Sequence, residues 1–229
     1  MHLEKLIGKT VKLLGIMNRT SLTKLESTML LLIVFSAFLT LLRVQITQNL
    51  SYTFLLWNLF LAVIPYMISE YTRRLDIVNI TKFKLGSLLL FWLFFLPNAP
   101  YIITDFIHFK TESSMVWYDL LLLFVNAVTG LLLGLLSMHT FYKIVCSKWN
   151  ISIGNYFSVG VFFLCGFGIY LGRFLRFNTW DIIFSPLDLI KKSILSFQET
   201  TAWLITLGFG FLLWMLFKIV NSLIFFKEP

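Results

Sequence analysis

Residues 200–217 contain no charged side chain, and five more runs, 28–42, 53–71, 85–96, 116–142 and 154–175, are nearly as apolar. At about 1.5 Å of rise per residue, a helix of about 20 residues crosses a hydrocarbon core roughly 30 Å thick. Inside lipid a backbone must satisfy its own N–H and C=O groups, and a helix does so within one segment. The pattern therefore predicts an all-α fold, an integral membrane bundle of about six transmembrane helices. Composition supports this. Of 229 residues, 58% are hydrophobic and 13% charged, where soluble domains carry about 25% charged residues. The 25 Phe and 7 Trp suit lipid-facing and interfacial positions. A single polytopic domain over 28–229 is expected, with no separate soluble domain.

Residues 1–27 place Leu3, Leu6, Val11, Leu14 and Met17 at roughly helical spacing among Lys5, Lys9, Lys12, Arg19 and Lys24. This predicts a basic amphipathic arm on the membrane surface; a loosely ordered basic tail is the plainer alternative. The first long apolar run starts near Met29 and has no small-residue cleavage site after it, so no cleavable signal peptide is expected. With six spans, thirteen Lys and Arg fall on the side of the two termini and six on the other. The positive-inside rule then puts both termini in the cytoplasm. The net charge of +8 is read as a topology signal and a contact for anionic membrane lipid, not as nucleic-acid binding. Four of the six outer basic residues, Arg173, Arg176, Lys191 and Lys192, crowd into one segment. Cys146 and Cys165 lack metal or redox spacing and are expected to pack.

Pro97 and Pro100 must interrupt the third helix, because proline lacks an N–H and clashes with the preceding turn. Broken backbone at membrane depth is tolerated where it is buried in protein or lines a cavity. Asn98 is placed to cap a new short, re-entrant helix. On that helix Tyr101, Thr104, Asp105 and His108 stand at i, i+3, i+4 and i+7, a polar stripe whose carboxyl and imidazole could act as an acid–base pair. In the segment that closes the fifth run, Gly168 and Gly172 permit close helix approach. Arg173 and Arg176, one helical turn apart, could clamp a phosphate or carboxylate; Asn178 and Asp181 follow. The fourth run sets Asp119, Asn126, Gly130, Gly134 and Ser137 on about one face, and the second carries a stripe of Asn58, Ala62, Pro65 and Ser69.

The expected topology brings Asp105, His108, Asp119 and the 173–181 segment to the same, extracytoplasmic side. Ionisable groups in a membrane are costly and count as site candidates. Asp105, His108 and Asp119 are the catalytic candidates; Asn98, Tyr101, Arg173, Arg176, Asn178 and Asp181 are the ligand-binding ones. Each has a plainer alternative. Asp105 and His108 can cap the turn and pair with each other. The arginines can snorkel to lipid headgroups or pair with Asp105, Asp119 or Asp181. The small residues of the fourth run can simply pack, and Asn58 can hydrogen-bond between helices. His139 has no evident partner. Asp105, His108 and Asp119 have the chemistry of metal ligands, yet no H-E-x-x-H motif or cysteine cluster accompanies them, and no metal or other cofactor is assigned. Neither a G-x-S-x-G motif nor a P-loop is present.

Several long motifs, in order, resemble one family. They are residues 58–69 (NLFLAVIPYMIS), 92–109 (WLFFLPNAPYIITDFIHF), the Trp117-Tyr118-Asp119-Leu120 start of the fourth run, 130–137, and 168–181 (GIYLGRFLRFNTWD). Together they are similar to an uncharacterised family of bacterial polytopic membrane proteins known as a domain of unknown function, over roughly 30–226. The resemblance implies a bacterial cytoplasmic membrane location and carries no activity. It marks Asn98, Pro100, Tyr101, Asp105, His108, Asp119, Arg173, Arg176, Asn178 and Asp181 as motif positions.

Three functions of different class follow. One is an enzyme or binding protein for an anionic lipid-linked envelope substrate at the outer leaflet, with the two arginines on phosphate and Asp105 and His108 moving protons. The second is a small transporter or lipid flippase whose path the broken helix lines. The third is an assembly or accessory protein with a structural polar cluster. The first is favoured because the charges gather at one face instead of threading the midplane.

Overall fold

The computed structural model describes residues 23–75 and 79–225. Six helical spans cross the bundle: α1 (Lys24–Thr47), α2 (Phe54–Arg74), a broken third span, α5 (Val116–Lys148), α6 (Ile151–Arg173) and α9 (Thr200–Phe225). The third consists of α3 (Lys82–Phe95), the single turn α4 (Asn98–Tyr101) and a tighter 3-10 stretch, Ile102–His108. Two short helices, α7 (Asp181–Phe184) and α8 (Pro186–Ser196), lie between α6 and α9. The arm expected over 1–27 falls mostly outside the described residues. Its last four residues belong to α1, because Thr23 and Glu26 form a reciprocal capping box that starts the helix at Lys24.

Helix α5 is the hub, touching α1, α2, α4, the 3-10 stretch, α6 and α9. Its most apolar stretch is 61% buried, against 17–33% for the other five spans. Large side chains point outward elsewhere: Leu31 is 69% exposed and Leu204 67%. Lipid tails are as apolar as the core, so such faces carry no penalty in a bilayer, and helix association relies on close packing and interhelical hydrogen bonds. Trp92 Nε1 of α3 donates to Ser137 Oγ of α5 at 2.6 Å, and Ser137 donates to the Pro65 carbonyl of α2 at 2.9 Å. Ser36 and Thr129 join α1 to α5 at 2.8 Å. His139, expected to lack a partner, reaches Asn221 Oδ1 of α9 at 2.9 Å. Cys146 and Cys165 are free thiols, and Cys165 is packed in the core.

The glycines explain how the broken span is held. A Cβ at Gly130 would strike the Ala99 carbonyl and Ile102, and one at Gly134 would press on Ala99. From the opposite side, Gly168 faces Pro97 and Gly172 faces Tyr101. Two glycine ridges, one on α5 and one on α6, thus grip residues 97–102. The close approach expected of Gly168 and Gly172 is made to irregular backbone, not to another full helix.

Candidate functional site

The break begins where Pro97 and Pro100 remove amide donors. Ala99 N–H turns to the Leu96 carbonyl at 3.1 Å, which leaves the Phe95 carbonyl without its helical partner. Asn98 fills that vacancy: its Nδ2 donates to Phe95 O at 2.9 Å and to Thr179 Oγ1 at 3.0 Å. Asn98 therefore does not cap α4 as expected. It seals the end of α3 and ties it to the segment after α6.

Arg173 gathers the whole polar stripe. Its Nε and Nη2 donate to Thr104 Oγ1 at 2.8 and 2.6 Å, and Nη2 also donates to Asp105 Oδ1 at 2.5 Å. Nη1 lies 3.3 Å from His108 Nε2, and the guanidinium covers the Tyr101 ring at 4.4 Å. Asn58 Nδ2 of α2 donates to the other Asp105 oxygen at 2.7 Å. Asp105 is 1% exposed, and both its oxygens are held. Among the described residues no hydrogen bond joins Asp105 to His108; Arg173 stands between them.

Arg176 behaves differently. Helix α6 ends at Arg173, so the two arginines do not stand on a common helix face, although both line one cavity. Arg176 is exposed, makes no hydrogen bond or ion pair with the described residues, and has φ 58°. That left-handed backbone, usually given to glycine after a helix end, lets Phe177 N–H return to the Leu171 carbonyl at 3.1 Å. Asp181 Oδ2 accepts from Asn178 N–H at 2.6 Å, which closes the next turn and leaves Asp181 unpaired with either arginine.

These segments enclose a cavity of about 600 Å³. Trp57, Leu61, Phe94 and Leu171 supply apolar wall; Asn58, Asn98, Tyr101, His108, Asn178, Thr179 and the two arginines supply polar edge. Trp57 and Trp180 stand 5.8 Å apart, centroid to centroid, beside it.

Asp119 is not part of this group. Its carboxylate, fully buried, takes Arg43 Nε at 2.5 Å, Arg43 Nη2 at 3.2 Å and Ser113 Oγ at 2.5 Å. Arg43 Nη1 goes to Thr47 Oγ1, and the guanidinium sits 5.4 Å from the Tyr52 ring centroid. Burial, and then the Asp119 charge, raises the Tyr52 phenol above its ordinary pKa, so it stays a neutral donor, 3.4 Å from the His108 carbonyl. Asp105, His108 and Asp119 therefore do not form one donor set. Among the described residues no group of three His, Cys, Asp or Glu gathers for a metal. Arg43 is the residue that sequence reasoning missed. Its signal was a charge at the end of an apolar run, which must find a countercharge on its own side.

Six apolar spans, the third of them broken, define a multi-pass membrane protein with a partly polar cavity at one end. The family described as "Protein of unknown function (DUF1361)" matches residues 57–216, and the chain belongs to it. No curated protein and no solved structure matches.

Proposed function

We propose that this protein binds an anionic amphiphile of the membrane in the cavity beside the broken helix. The observation that carries the reading is Arg176: a cation with no countercharge among the described residues, lining an amphipathic cavity, on backbone where a side chain is strained. Arg173 is balanced by Asp105, so the cavity has one positive charge to spare, and its apolar wall suits an acyl chain. Binding is favoured over proton-transfer chemistry, because both Asp105 oxygens are already occupied. The excess of Lys and Arg at the opposite end supports an extracytoplasmic cavity with both termini inside. The family resemblance supports the cytoplasmic membrane of a bacterium.

The test is native mass spectrometry in mild detergent, titrating phosphatidylethanol and zwitterionic phosphatidylcholine onto wild type and Arg176→Gly. Glycine removes the charge and relaxes the backbone. Phosphatidylethanol affinity should fall about tenfold in the variant, near the value of one charge-assisted contact, with phosphatidylcholine binding unchanged. Equal phosphatidylethanol binding by the two proteins would overturn the reading.

A further inference from the structure

A second cavity, about 470 Å³, lies on the far side of His108 and shares that residue with the first. It is built from the end of α1 and the two links 48–53 and 109–115. The ring of Phe54 packs on the His108 imidazole at 4.8 Å, so His108 is a fixed sill between the two chambers.

The chambers differ in charge. In the first, Arg176 has no countercharge among the described residues. In the second, Arg43 is neutralised by Asp119, and Lys110 and Glu112, one of each sign, both line the wall. The second chamber is thus polar without net charge. It repels neither sign strongly and gives a second phosphate no advantage. It does offer hydrogen-bonding groups not engaged by the described residues: the Ser114 hydroxyl, the Glu112 carboxylate and the Lys110 ammonium. A carboxylate, a hydroxyl and an ammonium beside aromatic surface (Tyr52, Phe54) match a ring of hydroxyl groups, each of which can donate and accept.

The geometry points to a ligand with one phosphodiester and a hydroxyl-rich headgroup, a polyol or sugar. Its phosphate lies at Arg176, its chains lie along the apolar wall, and its headgroup crosses His108 into the second chamber. This rests on the anion-binding reading of the first cavity and adds the substrate class.

The test compares phosphatidylinositol with phosphatidylethanol of identical acyl chains. Both carry one phosphodiester charge, but only phosphatidylinositol has a hydroxyl-bearing ring. By native mass spectrometry in mild detergent, wild type should bind phosphatidylinositol about tenfold tighter, as two or so additional net hydrogen bonds would give. Glu112→Ala/Ser114→Ala, which touches neither ion pair, should erase that preference and leave phosphatidylethanol affinity unchanged. Equal affinities in wild type, or a preference that survives in the variant, would overturn the headgroup assignment while leaving Arg176-dependent phosphatidylethanol binding standing. Phosphatidylethanol binding that ignores Arg176→Gly would sink the first-cavity reading, and this one with it.

Discussion

Two buried Arg–Asp pairs stand at the same end of the bundle, and the same chemistry serves a different purpose in each. Arg43 and Asp119 join two continuous helices, with side chains 8% and 0% exposed. Their guanidinium and carboxylate meet through two hydrogen bonds. Arg173 and Asp105 join a helix terminus to the 3-10 stretch that ends the broken span, and Arg173 is 15% exposed at the cavity edge. Arg173 also holds Thr104 and His108. The first pair closes a seam between helices. Both pairs border a chamber, but the second stands beside Arg176, a cation with no countercharge among the described residues.

Removing one acid from each pair separates these roles most sharply. Asp119→Ala leaves Arg43, only 8% exposed at the wall of the second chamber, without its carboxylate, and thermal unfolding in detergent should show a loss of about 3–5 kcal/mol, the usual cost of an uncompensated buried charge. Arg43→Met/Asp119→Leu should recover most of it, since an apolar pair of similar volume tolerates the same site. Asp105→Ala should cost less, about 2 kcal/mol, because Arg173 keeps Thr104 and His108 and, at 15% exposed, is the more accessible of the two arginines. Arg173→Met/Asp105→Leu should not recover the loss, since Thr104, His108 and Asn58 would all lose partners. Equal losses for the two acids, or equal rescue, would erase the distinction.

How far the sequence could see this follows from the range of each interaction. The six spans were legible because bilayer thickness fixes the length of every apolar run. The third was read as ending at Leu96, yet the crossing continues through the break to His108, because glycines on both neighbours support backbone that cannot support itself. The polar stripe was legible from local spacing. Its hub was not: Arg173 reaches Asp105 across 68 residues, and Arg43 reaches Asp119 across 76. Spacing within one helix says nothing about which neighbour it faces. The one-turn helical spacing of the two arginines is lost for a local reason, because α6 stops at Arg173 and Arg176 turns into the left-handed region. Helix α8 was missed, though Pro186 at its start and Leu187, Ile190 and Ile194 along one side were there to read.

The glycine grip touches only the Arg173 side of the comparison, so it offers a milder probe. In Gly130→Ala the new methyl group would meet the Ala99 carbonyl, an atom of backbone that has little room to retreat. Unfolding should cost about 1–3 kcal/mol, the range for overpacking. Gly208→Ala, whose Cβ would meet nothing within 4 Å, serves as the control. It should change stability by less than about 1 kcal/mol, in the stabilising direction expected of alanine in a helix. If Gly130→Ala were equally harmless, the 97–102 segment would be freer than its packing shows, and the polar contacts of Asn98, Asn58 and Arg173 would hold the broken span.

The smallest effect on stability, and the one that bears most on function, belongs to Arg176→Gly. A non-glycine residue in the left-handed region costs about 1 kcal/mol. Glycine relieves that cost but gives back part of it, because an unfolded glycine has more freedom to lose. Arg176 makes no bond with the described residues that would be forfeited. The melting temperature of the lipid-free protein should therefore stay level or rise slightly, even as the variant loses phosphatidylethanol affinity. That combination would show the arginine kept against local backbone preference, as expected of a residue retained for a ligand and not for the fold. A clear fall in melting temperature would instead place Arg176 with Arg173 and Arg43, as a third cation that holds the bundle together.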